Sequence, residues 1–222
     1  LAACGNFALL LILAWPYVGY LEGLDSLLPR LYFALTTLSH FALLAALPLL
    51  IALLVYGLSK SAKGTRVTFA FLSVFLFVVL KIDATVFSQM RYHLSPIVFN
   101  LVFGKRAGDI FQFSAANLAM AGFFIVLLIG LQVLFLKLAR RWSDPNSNLR
   151  VKPTVISISV LLLASNLLFA WGDANFYRPI MQFKKIYPAF YPLTADNLMM
   201  KLGLADPDKA NHQITEAEAA IE

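Results

Sequence analysis

Residues 154–203 read TVISISVLLLASNLLFAWGDANFYRPIMQFKKIYPAFYPLTADNLMMKLG. The run 154–171 is apolar and about long enough to cross a bilayer once. At Trp171 the character changes, and Tyr, Phe, Lys and Arg mix with proline as they do at a lipid–water boundary. The stretch reads as the exit of a last membrane helix followed by a linker, and the rest of the chain is read outward from it.

The composition agrees. Of 222 residues 60% are hydrophobic and 14% charged, with mean hydropathy +0.75, far more apolar than a soluble domain. The fold class is therefore an all-α membrane protein. Cys4 is the single cysteine, so neither a disulfide framework nor a cysteine metal site is available. The formal charge of +6 is assigned to membrane topology rather than to nucleic acid, because the basic residues flank apolar spans.

Five stretches reach spanning length: 1–21, 31–58, 67–87, 111–136 and 154–171. The loops after the second and fourth carry Lys60, Lys63 and Arg66, then Lys137, Arg140, Arg141, Arg150 and Lys152, against Asp144 alone. The remaining charges are nearly balanced, so the positive-inside rule puts these two loops in the cytoplasm. With five spans the N-terminus is cytoplasmic and the C-terminal segment is outside, which in a Gram-negative cell is the periplasm. The domain reading is a five-helix transmembrane domain, 1–171, and a periplasmic linker, 172–222.

Pro16 and Pro48 lie inside spans and read as kinks. Between spans three and four, Ser95-Pro96, IVFNLVF and Gly104 give a cap, a first-turn proline and a stop, predicting one short interfacial helix ended by Lys105 and Arg106. The chain begins at Leu1 without a preceding basic segment, and it reads as a piece of a longer protein.

Three titratable residues fall inside spans: His40, Lys81 and Asp83. A charge at the bilayer centre costs about 2.5–3.5 kcal/mol on insertion scales, so each needs a partner or water. Helical rise puts Lys81 about 9 Å, Asp83 about 6 Å and His40 about 13 Å from the outer ends of their spans. With Arg91 and His93 just beyond, they form a candidate polar cluster under the outer surface. In the plainer reading Lys81 snorkels, Asp83 accepts from loop amides and His40 bonds a neighbouring backbone. There is no glycine-rich phosphate loop, HExxH or GxSxG, so no catalytic residue, metal site or cofactor is assigned.

In the linker Arg178, Lys184 and Lys185 supply positive charge, and Tyr187-Pro188 and Tyr191-Pro192 punctuate extended chain. Thr194 is expected to cap a short helix over 195–202, with Gly203 as its stop. Free NH groups at that helix start, beside the basic residues, suit a lipid phosphate, and each basic residue near an anionic surface is worth about 1 kcal/mol. Asp196 favours the plainer reading of an interfacial anchor, since a first-turn carboxylate repels a phosphate.

WGDANFYRPI followed by YPLTA, together with KIDATVFSQMRYHLSPIVFNLV, resembles the membrane domain of the PbgA/YejM family of inner-membrane sulfatase-like proteins. The resemblance covers about residues 1–204. It implies five membrane helices joined by a linker to a periplasmic sulfatase-like domain that lies beyond this sequence. It also implies that lipid A is held at the linker and that the signal passes to a membrane-bound protease adaptor controlling lipopolysaccharide synthesis; a cardiolipin-transport role is a further implication.

The family site uses a threonine and an alanine followed by two arginines. Thr194 and Ala195 match the first pair, whereas Asp196 and Asn197 replace the arginines. Lys184 falls on a basic position of the family and Lys185 adds a second. The expected lipid-binding set is therefore Arg178, Lys184, Lys185, Tyr191, Thr194, Ala195 and Asn197, and the expected role is lipid sensing without chemistry in this chain. The competing expectations are an anchor for an active periplasmic sulfatase or phosphoethanolamine-transferase-like enzyme, and a lipid transporter.

Overall fold

Long apolar runs fold into helices that satisfy their own backbone, as a bilayer requires. In the computed structural model, which describes residues 1–95, 114–142 and 151–205, these runs are α1 (Ala2–Val18), α2 (Leu27–Ser59), α3 (Ala62–Met90), α4 (Ala115–Trp142) and α5 (Val151–Ala174). Three short helices follow: α6 (Arg178–Met181), α7 (Phe183–Ile186) and α8 (Asp196–Lys201). No strand occurs among the described residues.

Helices α2 to α5 are long and apolar enough to cross a membrane, whereas α1, at 17 residues, is shorter. Four such helices, not the five expected, therefore stand by length and composition. Pro16 and Pro48 lie inside α1 and α2. The interfacial helix expected after Pro96 lies outside the described residues, as do the loop 143–150 and the tail 206–222.

The chain divides into two units, Leu1–Val18 with Phe41–Leu149 and Gly19–His40 with Arg150–Glu222. In the first, α1, α3 and α4 pack on one another. Leu10, Ala14, Phe69, Phe77, Leu80 and Leu128 are buried there. A buried polar chain ties the three helices together: Asn6 Nδ2 donates to Ser73 Oγ at 2.7 Å, and Gln132 Nε2 donates to Asn6 Oδ1. Such interhelical bonds hold where lipid offers no hydrophobic drive between helices.

The second unit contains the first part of α2, α5 and the three short helices. Helix α5 ends in a Schellman motif: Tyr177 N–H donates to Gly172 O at 2.7 Å and Phe176 N–H to Asp173 O at 3.0 Å, with Phe176 at φ 52°. The chain then folds back. Ile180 meets the bare Cα of Gly172 so closely that a Cβ there would lie 2.7 Å from Ile180 Cγ2. This close approach is what the glycine permits.

Candidate functional site

The linker was expected to run extended through Tyr187 and Tyr191. Instead 178–186 forms the two helical turns α6 and α7, and the chain becomes extended at Tyr187 (φ −94°, ψ 133°). The reason is a stripe of apolar residues at helical spacing. Ile180, Phe183, Tyr187 and Phe190 are all buried. Phe183 stands edge-on to Tyr32 at 5.0 Å, and Phe190 stands edge-on to Phe169 at 6.3 Å. Burying these aromatics against α2 and α5 outweighs the intrinsic weakness of such short helices.

Four side chains pin the linker along its length. Gln182 holds the loop before α2: its Oε1 accepts from Glu22 N–H at 2.9 Å, and its Nε2 donates to Glu22 O at 2.6 Å. Thr37 Oγ1 donates to Phe33 O at 2.6 Å, so the Tyr187 hydroxyl, 2.7 Å from the same oxygen, is the donor to it. Burial pushes the Tyr187 phenol up to about 12, against the opposing effect of its hydrogen bond with Thr37. Leu193 N–H donates to Asn166 Oδ1 at 2.9 Å, and Asn175 Nδ2 donates to Leu204 O at 2.9 Å.

His40 is a fifth contact. Its Nε2 lies 3.0 Å from Pro188 O, and a carbonyl only accepts, so Nε2 carries the hydrogen. The ring stacks on Tyr187 with centroids 6.0 Å apart. The structure thus gives His40 the backbone bond of the plainer reading.

With its aromatic face docked, the linker turns its charged face to an open groove of about 870 Å³. Arg178, Lys184, Lys185 and Tyr191 line it, together with Glu22, Asp173 and Gln182. Four of the residues expected from the sequence are thereby brought together. Tyr191 is 88% exposed.

Thr194, Ala195 and Asn197 are not among the lining residues. Helix α8 also differs in detail from the expectation: Ala195, not Thr194, is the N-cap, and no side chain caps the helix. Its end is as expected. Gly203 sits at φ 67°, and Leu204 N–H donates to Met199 O at 2.9 Å in a second Schellman motif. Met199 packs with Ala170, Ala174 and Ala205.

In the first unit Asp83 is buried and accepts three hydrogen bonds: from Tyr17 Oη at 2.6 Å, His93 Nδ1 at 2.7 Å and Leu94 N–H at 2.6 Å. Three donors suit an acceptor-only carboxylate. The return of the chain that brings His93 and Leu94 back begins at Arg91, the α3 C-cap, at φ 60°. His93 stacks on Phe87 with centroids 4.7 Å apart. Lys81 is exposed on α3. Of the expected polar cluster, Asp83 and His93 meet, and Tyr17 is a member that the sequence reading missed. Among the described residues, no group of three or more His, Cys, Asp or Glu comes together.

Residues 3–221 match the family model described as "Domain of unknown function (DUF3413)". The chain belongs to the DUF3413 family. Relatives of this DUF3413 chain include the inner membrane protein YejM of Salmonella typhimurium, 28% identical over 216 residues, 95% of this chain and 36% of the relative. An uncharacterized protein of Haemophilus influenzae is 29% identical over 209 residues, 92% of this chain and 33% of the relative. The DUF3413 chain spans about a third of the length of these curated relatives. The resemblance to the PbgA/YejM membrane domain, read from two motifs, is thus borne out over nearly the whole chain.

Proposed function

We propose that this DUF3413 chain is a lipid-sensing module of the bacterial inner membrane. Its groove binds a phosphate-bearing lipid of the periplasmic leaflet, lipid A or cardiolipin, and the bound state is relayed to lipopolysaccharide synthesis through a membrane-bound protease adaptor. The observation that carries the reading is the gathering of Arg178, Lys184 and Lys185 on one groove whose floor is fixed by Gln182 and by the docked aromatic stripe. Positive charge on a rigid backing lowers the ordering cost of binding.

In this reading α1 is a fifth, short span that crosses with the others, at the lower end of the length a bilayer accepts. The basic loops then stay in the cytoplasm and the linker is periplasmic, leading to a sulfatase-like domain. The chain itself performs no chemistry. Recognition shifts from the family's arginine pair, replaced here by Asp196 and Asn197, to the lysines of α7.

The test is lipid A and cardiolipin binding by the purified protein carrying Lys184→Ala and Lys185→Ala. The expected result is loss of both. Unchanged binding removes the linker site. An anchor for an active enzyme is the second reading, favoured by the chain's covering only a third of its relatives. A metal-ligand set with a Ser or Thr nucleophile in the rest of the gene would support it.

A further inference from the structure

The groove is not uniformly basic. Glu22 and Asp173 line it together with Arg178, Lys184 and Lys185. Among the described residues, no ion pair within 4.0 Å joins Glu22, Asp173, Arg178 or Lys184 to another side chain. Glu22, Asp173, Arg178 and Lys184 therefore line one cavity with no close ion pair among them, and Lys184 acts on Asp173 only at longer range. Glu22 is held there by its own backbone, through the paired amide of Gln182, and Asp173 by the last turn of α5. Gly23, at φ 65°, lets the loop pass close to Pro179, to whose Cγ a Cβ would stand at 3.2 Å.

A purely anionic headgroup would meet the two carboxylates at a cost, since like charges in one site repel. A headgroup carrying a phosphate and a nearby ammonium has a partner for each sign. We propose that the groove recognises a zwitterionic phosphoethanolamine group, its phosphate toward Arg178, Lys184 and Lys185 and its ammonium toward Glu22 and Asp173. This rests on the reading above of the groove as a lipid-phosphate site and adds to it a headgroup class that neither lipid A nor cardiolipin itself carries. A primary ammonium donates three hydrogen bonds, which carboxylates accept. The group is available as phosphatidylethanolamine or as a soluble glycerophospho-ester, and the two sources differ only in their acyl chains.

The test titrates short-chain phosphatidylethanolamine, short-chain phosphatidylglycerol and soluble glycerophosphoethanolamine into the purified protein, with Glu22→Gln and Asp173→Asn variants. Phosphatidylethanolamine is expected to bind best. Each variant is expected to weaken it roughly tenfold, as loss of a charge-assisted hydrogen bond does, and to leave phosphatidylglycerol unchanged or tighter. Glu22 is exposed, so its variant keeps the fold even if the Asp173 variant does not. Glycerophosphoethanolamine binding as tightly as the lipid assigns the site to a soluble ester, and weaker binding assigns it to the lipid.

Phosphatidylglycerol binding the wild type as well as phosphatidylethanolamine does, or Glu22→Gln leaving phosphatidylethanolamine unaffected, overturns the zwitterion proposal. Failure of the underlying lipid reading looks different. There, Lys184→Ala with Lys185→Ala leaves every lipid unchanged.

Discussion

Gln182 and Glu22, 160 positions apart, meet as a paired amide in which each group both gives and receives: Glu22 N–H to Gln182 Oε1 at 2.9 Å, Gln182 Nε2 to Glu22 O at 2.6 Å. Nε2 also donates to Pro179 O at 2.9 Å. One side chain therefore closes the groove by fixing the loop before α2 to the linker. Gln182→Ala is expected to cost about 1–3 kcal/mol through the unpaired backbone groups. Hydrogen exchange should rise at 20–24 and 178–186 while α3 and α4 are unchanged; exchange that stays slow in both segments would show that the amide pair holds nothing.

Gly172 is the contact on which the linker turns. Gly172→Ala puts a methyl 2.7 Å from Ile180 Cγ2, and Ile180 is fully buried, so neither side has room. Overpacking of this kind costs about 1–3 kcal/mol. Adding Ile180→Ala should recover most of that loss in a double-mutant cycle read by thermal unfolding in detergent. Simple additivity of the two losses would mean that the contact is not the cause.

Asp83 organises the end of α3. Asp83→Asn places an NH₂ against one of three donors and is expected to destabilise the first unit by about 1–3 kcal/mol. Tyr17→Phe should cost less alone and almost nothing on top of Asp83→Asn, because the two share one network. Denaturant unfolding of the four proteins of this cycle measures it.

Alkaline pH addresses Tyr187. Its phenol ionises near 12 in the folded protein, above the ordinary value of 10.0. The folded state then holds the proton through the window between these values while the unfolded state releases it. Stability from this group is complete below pH 10.0, falls as pH rises and is gone above about 12. Tyr187→Phe should flatten that part of the stability profile; an unaltered profile would refute the assignment.

How much of this was readable beforehand depends on where the signal lies. Helices α2 to α5 follow from apolar length alone, and the glycine stop of α8 follows from Gly203. The fold-back of 178–190 did not follow, because its prolines, Tyr187-Pro188 and Tyr191-Pro192 above all, read as marks of extended chain. Proline is in fact tolerated in a first turn, and the spacing of Ile180, Phe183, Tyr187 and Phe190 was the usable sign. Arg178, Lys184, Lys185 and Tyr191 were legible as charge and aromatic pattern. Glu22, Asp173 and Gln182 were not, since only the tertiary fold brings Glu22 to the linker. The cap of α8 shifted by one residue, the usual uncertainty of a helix end. Asn6 and Gln132 stand as amides in apolar runs, but their direct bond, and that of Asn6 to Ser73, depend on packing.

The central claim is that lipid is sensed at the linker groove. Hydrogen exchange of the purified protein with and without lipid A in nanodiscs tests it most directly. Slowed exchange over 173–191, abolished by Lys184→Ala with Lys185→Ala, is the predicted result. Binding of lipid A with no change in that segment, or with protection that persists in the double variant, would contradict it.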